Sequence, residues 1–343
     1  MTGDGTIRGM LALCTAILVA AALYLGRSIF APVAFSLFAL AIVWPFQGAL
    51  QAKIPKLVAL VFTPLLTLIV FAMLGLAIAW GSGQVGHWLL SNVDRFQFVY
   101  TKTTEWLEGH GIFVTGMVAD RFDVTWLVRF VQQVAARLNS MIGFALLAFA
   151  FTILGLMEAS HFDRRIKKLE SQRSNLKLSQ AAERIAGQFR KYILIRSLAS
   201  ILTGFVTFCF ALLVGLELAL AWGAIFFVLN YVPFLGPLVA VVLATLFAAA
   251  QFESWQMALI NLAGLSVIQF LIGSYLEPLL AGATLAISPF LVLFAVFFWS
   301  FLWGIPGAFI GVPLTIAFLT ICEQYASSRW IATLMSDSRG PSA

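Results

Sequence analysis

Residues 218–322 constrain this chain more than any other stretch. They number 105 and hold two charged side chains, Glu253 and Glu277, with no Lys, Arg, Asp or His. A soluble domain needs polar residues over its outer face, and this stretch has almost none to offer. It also carries six of the chain's 11 prolines: Pro233, Pro237, Pro278, Pro289, Pro306 and Pro313. Each proline removes a backbone donor and disturbs the helix around it. Hydrocarbon tolerates interrupted helices only where protein or a watery cavity covers the freed backbone groups. The stretch therefore reads as a packed membrane module, with discontinuous helices around a polar site, as in transporter cores.

Composition extends that reading to the whole chain. Its 343 residues are 61% hydrophobic and 10% charged, against about 25% charged in ordinary globular domains. An all-α, polytopic membrane protein follows. The net charge of +6 is local: residues 158–196 hold ten Lys/Arg and four acids, so the rest of the chain sums to zero. One basic loop in a membrane protein reports topology, and no nucleic-acid partner is implied. Cys14, Cys209 and Cys322 lie far apart inside apolar runs and read as small core residues, with no metal-binding spacing. There is no G-x-S-x-G, Walker loop, HExxH or GxGxxG. The chain is expected to be no enzyme, to need no cofactor and, on its own, to be no ATP-driven pump.

Residues 1–80 read as N-terminal membrane helices. Arg8 precedes an apolar run over 9–25, taken as an uncleaved first span rather than a signal peptide. A second span covers 29–50, with Pro32 suited to a helix's first turn and Pro45 expected to kink or end it. A third covers 57–80. Residues 81–139 differ, with mixed charge and aromatics at helical spacing: Trp88, Leu89, Val93, Phe96 and Tyr100, then Trp126, Phe130, Val134 and Leu138. They predict two amphipathic helices outside the cytoplasm, joined by a turn near Gly109 and Gly111. His87 and His110 have the chemistry of pH sensors, although solvated loop histidines are the commoner case. A fourth span covers 140–157. The basic segment 158–196 contains a helix over 181–192 that runs into a fifth span, 193–215, with a solvated or lipid-headgroup-facing basic side. The C-terminal membrane core is 197–322, and the tail is 323–343.

The basic loop belongs in the cytoplasm. Counting spans back from it puts 81–139 outside, Lys53 and Lys56 inside, and Arg8 with the N-terminus inside. The tail, with Arg329 and Arg339, also falls inside.

Two segments of the core must break. Residues 218–250 form one apolar run with Asn230, Tyr231, Pro233, Gly236 and Pro237 at its middle. A straight helix of that length would be about 50 Å, against a hydrocarbon thickness of about 30 Å. Either it is a re-entrant hairpin with its tip at 233–237, or it is two short helices that cross once; length favours the hairpin. Residues 255–275 read as an ordinary span, with Leu276, Glu277 and Pro278 starting a loop. Residues 287–322 repeat the broken pattern at Gly304, Pro306 and Gly307, and again at Pro313.

Glu277 is the sharpest candidate for chemistry. A lone acid after a long neutral run is costly and marks ion or proton paths, although an interfacial, water-solvated acid would look the same. Glu253 and Glu217 read as interfacial. Asn230, Asn261, Gln269 and Ser274 place hydrogen-bonding groups inside apolar runs, where interhelical bonding is the ordinary reading. Asn230 stands out because it abuts a break, where its amide and freed backbone groups would line one cavity. Gly307 and Gly311 have the spacing of close helix packing. The candidate substrate or ion site is thus Asn230, Pro233, Gly236, Pro237, Glu277, Pro278, Gly304, Pro306 and Gly307, with the two breaks forming it and Glu277 as the ion carrier. No metal site is expected.

The run Tyr231-Val232-Pro233-Phe234-Leu235-Gly236-Pro237, then Glu277-Pro278 with Gly282, then Ile287-Ser288-Pro289 through Gly304, Gly307, Val312 and Pro313, resembles the autoinducer-2 exporter (AI-2E) family of bacterial inner-membrane transporters. Phe30-Ala31-Pro32 and Trp44-Pro45 match in style. The likeness covers nearly the whole chain and is loosest over 81–139. It departs at Ser274-Tyr275, where the family often carries an Asn. It implies a multi-pass inner-membrane transporter with about eight membrane segments, assembling as a homo-oligomer in the lipid bilayer. Members are described as exporters of autoinducer-2, and others as sodium/proton antiporters. The expected function is secondary export of a small polar solute coupled to an ion gradient. Sodium(lithium)/proton antiport is the alternative within transport. An uncoupled channel-like facilitator and a membrane scaffold or interaction protein are the remaining alternatives.

Overall fold

The computed structural model describes residues 3–110, 125–172, 178–281, 288–324 and 328–335. All regular structure among them is helical. In order the helices are α1 (Gly3–Leu25), α2 (Arg27–Gln51), α3 (Lys56–Ser91), α4 (Val93–Gly109), α5 (Thr125–Gln172), α6 (Leu178–Val214), α7 (Ala219–Leu229), α8 (Leu235–Phe252) and α9 (Trp255–Phe270). A π-helical turn, Leu271–Leu276, leads into α10 (Glu277–Ala281), followed by α11 (Pro289–Trp303), α12 (Ile305–Gln324) and α13 (Arg329–Met335).

Among the described residues, six helices are long and apolar enough to cross a membrane: Arg27–Gln51, Val61–Ser91, Leu178–Val214, Leu235–Phe252, Trp255–Leu280 and Ile305–Gln324. The bent pair Gly143–Ala159 and Arg164–Ser171 would make a seventh. The expected number of about eight is therefore only approximate. The difference is Gly9–Leu25, apolar but short; two further short apolar helices are Ala219–Leu229 and Pro289–Trp303. The last two are arms of broken segments rather than spans of their own.

The chain divides into two compact units. The first holds Met1–Leu68, Gly143–Tyr192 and Ala283–Ala343; the second holds Ile69–Ile142 and Ile193–Gly282. Helices α3, α5 and α6 are each divided between them.

In the first unit, α2 continues past Pro45 to Gln51, so the helix does not end there. Pro45 has no N–H, so the carbonyl of Ala41, four residues back, loses its helical donor. Arg190 Nη1 supplies the missing hydrogen bond at 3.2 Å. Pro32 also lies inside α2 rather than in its first turn, because the turn between α1 and α2 is shorter than expected and centres on Gly26. The break in 287–322 falls at Gly304 alone. Gly304 adopts φ 67°, ψ −142°, a conformation essentially open only to glycine. Pro306 occupies the second position of α12, where the missing donor costs nothing. Helix α12 then continues through Pro313, so the second break expected there does not occur. Arms α11 and α12 pack antiparallel: a Cβ on Gly307 would fall 1.9 Å from Trp299 O, and one on Gly311 3.0 Å from Ala295 O. This bears out the close packing read from the spacing of the two glycines. Trp299 Nε1 adds a bond to Thr315 Oγ1 at 3.2 Å.

The second unit has a core of buried apolar side chains from α3, α6, α7, α8 and α9, among them Trp222, Phe226, Phe247 and Leu265. Helix α3 reaches Ser91 and therefore carries His87, Trp88 and Leu89. A turn at Asn92 separates it from α4, so the first expected amphipathic helix is really the end of one helix and the start of another. The second is continuous with the fourth span, because α5 runs on from Thr125 through that span before it bends by 50° between Ala159 and Arg164. Gly109 does end α4, as expected, and Gly111 lies outside the described residues.

Candidate functional site

The second unit gathers the polar residues of the core. Helix α7 ends at Leu229, and residues 230–234 turn the chain back into α8. Pro233 and Pro237 cannot donate, which forbids a continuous helix. Around Phe234 the chain makes a γ-turn, with φ 61°, ψ −54° and Leu235 N donating to Pro233 O at 2.7 Å. This hand of the turn is rare and strained in L-residues. A Cβ on Gly236 would lie 1.8 Å from Leu229 O, so no other residue fits as the arms close. Higher up, Trp222 of α7 and Phe247 of α8 meet edge to face at 5.3 Å. Residues far apart in the run thus lie side by side, and the segment is a helical hairpin.

The hairpin tip is tied to α6. Asn230 Nδ2 donates to Ser200 Oγ at 3.3 Å, and Tyr231 Oη to Ser197 Oγ at 3.1 Å. One turn earlier on α6, Arg196 Nη1 pairs with Glu277 Oε2 at 3.0 Å, with the two side chains 9% and 20% exposed. Glu277 does not start a loop. It opens α10, directly after the π-turn. Pro278 fits because it is the second residue of that short helix, where an N–H is not needed. The π-turn shifts the helical register just before the acid, a device frequent at functional sites.

The two sharpest candidates, Asn230 and Glu277, therefore meet neighbouring turns of one helix. Arg196, Ser197 and Ser200 were not singled out from the sequence. Arg196 was counted with the basic segment, and the serines look unremarkable in an apolar run. The available signal was spacing: Arg196, Ser200, Thr203 and Thr207 recur at i, i+4, i+7 and i+11, one face of a helix. All four are at most 7% exposed. Pro233, Gly236, Pro237 and Pro278 shape the elements that carry Asn230 and Glu277. Gly304, Pro306 and Gly307 belong to the hairpin of the first unit. Asn261 was read as an interhelical hydrogen-bonding group, yet neither of its amide atoms has a partner among the described residues. No group of three or more His, Cys, Asp or Glu able to hold a metal ion occurs among the described residues.

At the end of α6 remote from Arg196, a second network forms. Trp88 Nε1 donates to Glu217 Oε2. Gln251 accepts from Glu217 N and donates to Gly215 O, each at 2.8 Å. Arg95 donates to Gln251 O at 3.2 Å and lies over the Trp88 ring. Glu253 sits in the turn between α8 and α9 with φ 50°.

The profile described as "AI-2E family transporter" matches residues 13–327. The AI-2 transport protein TqsA of Escherichia coli is 25% identical over 316 residues, which cover 91% of this chain and 90% of that protein. A putative transport protein of Haemophilus influenzae is 23% identical over 348 residues, covering 96% of each. One from Borreliella burgdorferi is 33% identical over 190 residues, and the match spans 54% of this chain and 52% of that protein.

Proposed function

Because this chain belongs to the AI-2E transporter family, we propose that it exports a small polar solute of the autoinducer-2 kind across the bacterial inner membrane in exchange for protons. The observation that carries this reading is the Arg196–Glu277 pair beneath the hairpin tip. A hydroxylated solute donates to the Glu277 carboxylate and accepts from the Arg196 guanidinium. Hydrogen bonds to ionised groups are roughly twice as strong as neutral ones. A proton arriving at Glu277 neutralises the carboxylate, weakens those bonds and releases the solute. Proton and solute then compete for one acid, which is the logic of exchange. The strained turn at Phe234, tied to α6 through Asn230 and Tyr231, supplies the element that opens and closes over the pair. Pro233, Gly236, Pro237 and Pro278 shape the site without touching solute. Gly304, Pro306 and Gly307 form the other interrupted hairpin, with a mobile role of its own.

A sodium/proton antiporter would use the same carboxylate. Arg196 argues against it, since a guanidinium 3.0 Å from the acid sets positive charge where a sodium ion would bind. A scaffold needs neither a buried ion pair nor a strained tip. We place both termini in the cytoplasm from the distribution of Lys and Arg, and the lipid-exposed apolar faces suit a homo-oligomer.

The test is efflux of a hydroxylated solute from proteoliposomes under an imposed pH gradient. Exchange that stops in Glu277→Gln while the protein still folds supports the reading. Undiminished proton-coupled efflux in that variant removes Glu277 from the mechanism.

A further inference from the structure

Threonine hydroxyls on the helices of this protein ordinarily bond a carbonyl one turn back. Thr15, Thr67, Thr152, Thr315 and Thr320 all do so. Thr203 and Thr207 do not, although they are 0% and 1% exposed, and neither hydroxyl has any partner among the described residues. The indole N–H of Trp222, 1% exposed, and both amide atoms of Asn261, 0% exposed, are in the same condition. Buried polar atoms without partners are rare in native proteins, and each calls for an explanation. Gln47 and Thr63 of the first unit and Thr245 and Gln269 of the second share the condition, but Thr203, Thr207, Trp222 and Asn261 belong to one unit and follow one another along α6.

Packing shows where that line faces. On one side of the α6 stripe, Gly204 and Phe208 meet Gly223 and Phe227 of α7. On the other, Phe210 lies against Gly264 of α9. At about 100° per residue, Thr203 and Thr207 fall between these two contacts, facing the trough bounded by α7 and α9. Register gives the order along the trough. The Ser200–Asn230 and Gly204–Gly223 contacts put Trp222 level with Thr207. The Arg196–Glu277 and Phe210–Gly264 contacts put Asn261 between one and two turns beyond. From Glu277 to Asn261 the line covers roughly 24 Å, most of a hydrocarbon core of about 30 Å.

We propose that water fills this trough as a single file from Glu277 past Thr203, Thr207 and Trp222 to Asn261, and that protons reach and leave Glu277 along it. Hydroxyl, indole and amide groups spaced along the line supply the two to four polar partners that a buried water needs. Each water passes a proton to the next and takes one from behind, so Glu277 gains or loses one proton with no other change in bonding. The file rests on the reading of Glu277 as the proton carrier, and the test separates the two.

The full chain in lipid nanodiscs is exposed to millisecond X-ray pulses, which convert bound water to hydroxyl radicals, and oxidation of each Trp is measured by mass spectrometry. Trp222 is expected to label despite its burial, and to lose about tenfold of its labelling in Thr203→Val/Thr207→Val, which removes the polar partners that hold the water. The Thr→Ser pair keeps both hydroxyls and should label like the parent. An unlabelled Trp222 in the parent overturns the file. Proton flux into proteoliposomes with a trapped pH dye is the second arm. Slow flux in the Val pair, restored in the Ser pair, supports the proton role, and parental flux in the Val pair overturns it. A parent that moves protons independently of Glu277, or moves none, overturns the carrier reading and the proton role together, while labelling of Trp222 still decides whether water occupies the trough.

Discussion

Arg196 and Glu277, 81 residues apart in the chain, form an ion pair of 3.0 Å in which both side chains are largely withdrawn from solvent. Such pairs are weak evidence for stability, because desolvation offsets most of the Coulombic gain. Their asymmetry is informative. Removing one partner strands a buried charge, whereas removing both does not. Arg196→Ala is expected to cost about 3–5 kcal/mol. Arg196→Met/Glu277→Gln is expected to melt near the parent in detergent. Both variants should lose solute exchange. A double variant that transports would show that the pair is structural only.

Gly236 and Gly75 should respond oppositely to the same change. A Cβ at Gly236 meets Leu229 backbone at 1.8 Å, while one at Gly75 meets nothing within 4 Å. Backbone cannot swing aside as a side chain can, so Gly236→Ala should destabilise by about 3 kcal/mol or abolish folding. Gly75→Ala, in the middle of α3, should be neutral or stabilising by up to about 1 kcal/mol. Thermal unfolding monitored by size-exclusion chromatography reads both.

Much of this fold is legible in the residues, and the exceptions share a cause. The absence of charge between Glu217 and Glu323 apart from Glu253 and Glu277 requires burial in lipid, and Pro233, Gly236 and Pro237 require a turn. Pro45 and Pro313 stand inside helices that continue past them. A proline inside a helix frees the carbonyl four residues back, and the donor for that of Ala41 comes from Arg190, 149 residues away. The candidate site follows the same rule. Asn230 and Glu277 announce themselves as polar groups in apolar runs. Ser197 and Ser200 matter because of the residues across from them, and a linear sequence does not say which those are.

Phe234 holds a backbone conformation that costs an L-residue about 1–3 kcal/mol, and its side chain is 50% exposed, so little burial offsets that cost. Strain of this kind clusters at ligand clamps and switch regions. Phe234→Gly should raise the melting temperature and slow exchange, since the closed tip no longer gains by opening. A variant that is both more stable and equally fast would separate the strain from transport.

Pro45 and Arg190 should be coupled although their side chains share no bond. The link is the Ala41 carbonyl, which Pro45 leaves without a donor and Arg190 Nη1 satisfies at 3.2 Å. In the parent, Arg190→Ala strands that carbonyl and should cost about 1–2 kcal/mol. In Pro45→Ala, the restored N–H completes the helix and Arg190 becomes dispensable, so the same truncation should cost much less. A double-mutant cycle on thermal stability should give a coupling near 1 kcal/mol. Additive effects would mean that the carbonyl is satisfied some other way, and that α2 continues through Pro45 for a reason other than this contact.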